Sequence, residues 1–165
     1  MGKNEGIIYL IDYGTAKKYI KSVTNEHIKE RTGKKFIGVA RYASLNCHRG
    51  LESSRRDDLE AIGYILIYLL KGSLPWQGVE LKPDETIERA IYRKKSEISL
   101  EELCLNLPKE FKQYLIYCRK LGFTEDPDYD YLIKLFENVQ SNPDCLTTIT
   151  SSFIDWNPLK KVFEI

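Results

Sequence analysis

Apolar residues fall in short, spaced groups along the chain, and most of the spacing is helical. The stretch from Asp57 to Lys71 is apolar nearly all round in its middle, which predicts a central core helix. Asp57, Asp58 and Glu60 stand at its positive end, and Lys71-Gly72 closes its negative end. Pro83 is a good first-turn residue and predicts a second helix to about Lys95. In "SLEEL", Ser99 and Glu102 have the spacing of a capping box. Pro108 opens another helix to Lys120, with Phe111, Leu115 and Cys118 on one face. "PDYDYLIKLFENV" predicts a last one, with Leu132, Leu135, Phe136 and Val139 at helical spacing.

The rest of the pattern is not helical. Ile7 to Ile11 reads as a short strand. Residues 12–54 show no sustained period and are rich in Lys, Thr, Asn, Ser and Gly, which predicts a long irregular segment. A loop of that length in a compact domain is functional or marks a wrong assignment. "GSLPWQG" is a turn with an aromatic anchor, and in the tail, 140–165, Phe153, Trp156, Leu159 and Phe163 are expected to pack down. The fold class expected is mainly α: one domain, a helical bundle around a buried central helix, with a short strand and a long loop at its start.

Composition narrows the setting. Apolar residues make up 42% and charged residues 30%, ordinary values for a globular protein. Leu59 to Leu70 is too short to span a bilayer, and the first ten residues lack the run of a signal peptide, so no membrane partner is expected. Cys47, Cys104, Cys118 and Cys145 are far apart and form no C-x-x-C, which implies reduced thiols and a cytoplasmic or nuclear location. His27 and His48 lack ligand spacing to them, which argues against zinc. Residues 1–56 carry twelve Lys/Arg against five Asp/Glu, and residues 57–165 thirteen against nineteen. The basic part either attracts an acidic or phosphate-rich partner or is a solvated loop. No nucleic-acid partner is expected.

One short stretch carries candidate chemistry. "YLIDYGTAKKY" runs three apolar residues into Asp12, then an aromatic residue and Gly14. Buried strands rarely end on a carboxylate without a reason, and by its local sequence Asp12 reads as a turn or N-cap aspartate after a strand.

Together, "YLIDYGTAKKY", "GVARYASLNCHRG", "SRRDDLEAIGYILIYLLKGSLPWQG" and "DPDYDYLIKLF" resemble the C-terminal lobe of the casein kinase 1 family of protein Ser/Thr kinases. The resemblance extends from about Gly6 to Trp156. It implies an activation segment over 12–46, ending at Ser44-Leu45-Asn46 where most kinases have Ala-Pro-Glu, and outer helices over 83–139. It implies that Asp12 chelates the magnesium bridging ATP phosphates, with Tyr13 in the usual Phe position and Gly14 giving backbone freedom. Asp58 matches the aspartate that anchors the catalytic loop; by itself it also reads as a favourable charge at a helix N-terminus. Arg31, Lys34 and Arg41 match loop cations that hold an acidic or phosphorylated substrate residue, with Arg41 the best placed.

The resemblance also implies what the chain lacks. It has no G-x-G-x-x-G, no H-R-D, and neither the strand lysine nor its glutamate partner. The start, Met1-Gly2, falls where the family has the residues just after the catalytic loop, so a cut of the N-terminal lobe is expected. No catalytic residue is expected within the chain, and ATP and magnesium are expected to bind only the full-length parent. Val39 replaces a threonine of the family, and Ile87 replaces a cation of the anion pocket, with Asp84 and Glu85 nearby and Lys82 or Arg89 as substitutes. Both weaken the carry-over of activity. Three functions remain: an inactive kinase fragment, a non-catalytic module binding acidic or phosphorylated peptides, and a helical scaffold held by Trp76, Trp156 and the central helix. An uncovered first strand is expected to favour self-association through Ile7–Ile11.

Overall fold

The computed structural model describes residues 10–145. Ile7, Ile8 and Tyr9 of the expected strand, and Phe153, Trp156, Leu159 and Phe163 of the tail, lie outside the described residues. The described chain is mainly helical. A 3-10 turn at Tyr13–Thr15 precedes α1 (Leu45–His48), α2 (Arg55–Lys71), α3 (Ile87–Glu97), α4 (Leu100–Leu103), α5 (Lys109–Lys120) and α6 (Tyr129–Ser141). The strand expected over 7–11 is not formed in its described part. Leu10 and Ile11 are 77% and 78% exposed and pair with no strand among the described residues. A strand needs a neighbour for its backbone groups, and the one pairing among the described residues is an isolated antiparallel bridge between Ile20 and His27.

α2 begins two residues before Asp57 because Asp57 serves as its internal cap. The Asp57 Oδ2 accepts from the Ser54 N–H at 2.8 Å, and its Oδ1 accepts from the Ser44 hydroxyl at 2.6 Å. That hydroxyl in turn accepts from the Cys47 N–H at the start of α1, so one buried carboxylate ties two helix N-termini together. Gly72 ends α2 with φ 71°, a left-handed cap that suits glycine. The helix packs mainly on α5. Gly63 allows that approach, since a Cβ there would stand 2.6 Å from Leu115 Cδ2. Tyr64 and Ile67 are wholly buried, whereas Ile62, Ile65 and Leu69 are exposed. The central helix is therefore covered on one side only among the described residues, not all round as its composition predicts.

α3 starts at Ile87 rather than Pro83. Asp84 takes φ 58°, which a helix cannot include. Thr86 becomes the cap and accepts from the Arg89 N–H. Ser99 caps α4 by accepting from the Glu102 N–H at 3.1 Å; the return bond of a capping box is absent among the described residues. α5 and α6 match their spacing. They form an antiparallel hairpin, with Phe111 on Phe136 at 5.4 Å near one end and Tyr117 on Tyr131 at 5.3 Å near the other. Trp76, the expected turn anchor, is fully buried against Tyr64 at 5.1 Å.

Candidate functional site

A cleft of about 890 Å³ opens between the irregular segment and the start of α2; Asp12, Lys17, Lys34, Val39, Cys47 and Asp58 are among the residues that line it. Asp12 sits at φ 60°, ψ 80°, and its Oδ1 accepts from the Gly14 N–H at 3.1 Å, capping the 3-10 turn. The turn reading of Asp12 thus describes its local role. Its other carboxylate oxygen has no hydrogen-bond partner among the described residues and remains available to a ligand. Asp58 lines the same cleft from the first turn of α2. Partial burial, and then the charge of Asp57, push its carboxyl above the usual range. Among the described residues no three His, Cys, Asp or Glu side chains group as a metal site. The donor set fits only an ion that keeps most of its waters or shares a phosphate, as magnesium does.

The cations divide between two anchors. Lys17 and Lys34 both pair with the buried carboxylate of Glu52, Lys34 at 3.2 Å. First Lys17 and then Lys34 hold Glu52 below the usual carboxylate range, against its burial. The backbone fixes the same place, with Lys34 N–H on Gly50 O and Glu52 N–H on Arg31 O. The Arg31 side chain is exposed and makes no ion pair among the described residues.

Arg41 is held differently. Its guanidinium lies over Tyr68 at 5.4 Å and Tyr42 at 5.8 Å, with no carboxylate partner among the described residues. The turn that carries it hangs from the core by its carbonyls. Trp76 Nε1 donates to Arg41 O at 2.7 Å, and Lys95 Nζ donates to Ala40 O at 2.9 Å and Ala43 O at 2.5 Å. Lys95 is 0% exposed, between the faces of Tyr64 and Trp76 at 4.8 and 4.9 Å, with His48 Nε2 3.3 Å away. Burial lowers its amine to about 7. Burial and the neighbouring Lys95 charge lower His48 to about 4.

Of the residues expected to gather an anion, Lys34 and Arg31 therefore belong to the Glu52 anchor and Arg41 to the aromatic one. Val39 lines the cleft and is 63% exposed, and Ile87 opens α3 at 46% exposed. Sequence reasoning missed Lys17, Glu52 and Lys95. Lys17 and Glu52 had no local signal, since they meet from 35 positions apart. Lys95 had one: it falls on the face of Ala90, Ile91 and Ile98, a lysine at an apolar position. No protein-family model matches the chain.

Proposed function

We propose that the chain is the large lobe of a casein kinase 1-like protein Ser/Thr kinase, and that its own share of the function is to dock acidic or phosphorylated protein segments. The observation that carries the reading is Arg41, whose guanidinium rests on two tyrosine rings without a carboxylate partner among the described residues. An arginine so placed keeps its donors for an external anion at little cost in side-chain entropy. The family segments quoted above support the same reading, since Arg41 stands inside one of them. In the full-length parent, Asp12 would hold magnesium, which supplies charge neutralisation of ATP phosphates. The chain itself carries no Gly-rich loop and no H-R-D, so phosphoryl transfer is assigned to the parent.

Two titrations test the proposal. A phosphoserine peptide and a neutral peptide of the same sequence are added to the chain and to Arg41→Ala. The phosphopeptide is expected to bind in preference, more weakly at high salt, and Arg41→Ala to abolish it. Equal binding by Arg41→Ala refutes the docking role. Calorimetry with ATP and magnesium is expected to show no micromolar affinity, and finding one overturns the division of labour.

A further inference from the structure

Lys95 lies beneath the turn that carries Arg41, and α2 supports both cations. The Lys95 amine rests over Tyr64 at 4.8 Å, and the Arg41 guanidinium rests over Tyr68 at 5.4 Å. Tyr64 and Tyr68 are one turn apart on α2, about 6 Å along its axis. The backbone joins the two cations as well. Lys95 donates to Ala40 O and Ala43 O, on either side of Arg41, and Trp76 donates to Arg41 O. Above these ties the Tyr42 and Ala43 N–H groups close the turn on Val39 O, both at 3.0 Å.

The surroundings let the amine gain or lose a proton without releasing the turn. A charged amine has three donors. Three acceptors stand around this one: Ala40 O at 2.9 Å, Ala43 O at 2.5 Å and, with the imidazole proton on Nδ1, His48 Nε2 at 3.3 Å. A neutral amine keeps two donors, enough for both carbonyls. The groups that face it come from three helices. Burial is the largest influence and opposes the charge; Glu60 of α2 and Cys47 of α1 favour it, and Arg119 of α5 opposes it. The balance leaves the amine at about 7. Burial holds His48 down at about 4 and pushes the Tyr64 hydroxyl far up, so neither changes charge near neutral pH. One further charge nearby is then enough to decide the Lys95 proton.

We propose that Lys95 is a positioning residue of the Arg41 docking turn and couples it to a proton: an anion captured by Arg41 draws a proton onto Lys95. The proposal rests on the docking reading given above. An anion on the outer side of Arg41 stands on the order of 10 Å from the amine, one helix turn plus an ion contact. At that distance and the effective dielectric of a protein surface, a unit charge raises the amine's affinity for a proton about tenfold.

Calorimetry counts the proton. The phosphoserine peptide is titrated into the parent and into Lys95→Met at pH 7.5, in two buffers of different ionisation heat. A tenfold rise from a value near 7 predicts uptake of about half a proton by the parent and almost none by Lys95→Met. No uptake by a parent that binds the peptide, or equal uptake by Lys95→Met, overturns the proposal. Amide exchange without peptide tests the hold on the turn separately. The Tyr42 and Ala43 N–H groups are expected to exchange about tenfold faster in Lys95→Met, measured against Leu115 in α5. Equal protection overturns the proposal. A variant that exchanges fast throughout has not folded, and the proton count of the parent then decides. A parent that binds the phosphopeptide no better than the neutral peptide refutes the docking reading and takes the proton coupling with it; a persisting exchange difference identifies that case.

Discussion

Replacing Lys95 by methionine tests the buried anchor beneath the Arg41 turn. Lys95 is wholly buried, and its amine is lowered from 10.5 to about 7. Between those values the unfolded chain holds a proton that the folded chain has released. Stability therefore rises with pH across that window, at up to about 1.4 kcal/mol per unit. The usable part is pH 7 to 9. Above it the buried thiols of Cys104 and Cys118, raised to about 11 and 12 by burial, oppose the trend. An acid with a raised folded value loses its contribution as pH rises through that value. Over pH 7 to 9 Lys95 should add roughly 2–3 kcal/mol to the parent. Lys95→Met removes the titrating group, but it leaves Ala43 O without its Lys95 donor, at about 1–3 kcal/mol, while Ala40 O keeps His48 Nε2 at 3.2 Å. The assay is urea unfolding at pH 7, 8 and 9 for both proteins. The parent is expected to gain stability over this range and Lys95→Met to stay nearly flat. Parallel slopes would refute the assignment, and with it the account of a lysine held in the core by two carbonyls and two aromatic rings.

His48, lowered to about 4, should give a second window: the parent gains stability as pH rises from about 4 to 6.5, and His48→Gln should lose that part of the slope in urea titrations. Gly63→Ala would set a Cβ 2.6 Å from Leu115 Cδ2 and 3.0 Å from Tyr114 Cε1. Overpacking of about 1–3 kcal/mol should outweigh the gain in helix propensity, so a lower thermal midpoint is expected. Trp76→Phe keeps the ring but removes the donor to Arg41 O; a loss of about 1–3 kcal/mol is expected in urea unfolding, together with weaker phosphopeptide binding. Ile87→Lys adds a cation at the start of α3 on an exposed position and is expected to strengthen phosphopeptide binding, as read by calorimetry.

The helices were legible because each depends on local terms. Leu132, Leu135 and Val139 repeat at helical spacing and become the buried face of α6. Gly72 marks the end of α2 as its composition predicts, since few other residues adopt a left-handed cap. Asp12 was legible as a candidate for the same reason: a carboxylate followed by glycine two positions on suits a tight turn, and it makes one. Where a local rule failed, a distant contact had decided. Pro83 suits a helix start, but Glu85 pairs with Arg93 and Asp84 turns left-handed, so α3 waits for Thr86. The Ile7–Ile11 run has strand chemistry, yet Leu10 and Ile11 find no strand beside them among the described residues. The cations of the irregular segment carry no sequence mark of their partners. Only the fold sets Lys17 and Lys34 on Glu52 and leaves Arg41 on Tyr42 and Tyr68. Sequence spacing governs which residues share a face within one helix, because that geometry repeats every turn. Which charge meets which across 35 positions depends on how the turns between them pack, and that is decided only by the assembled core.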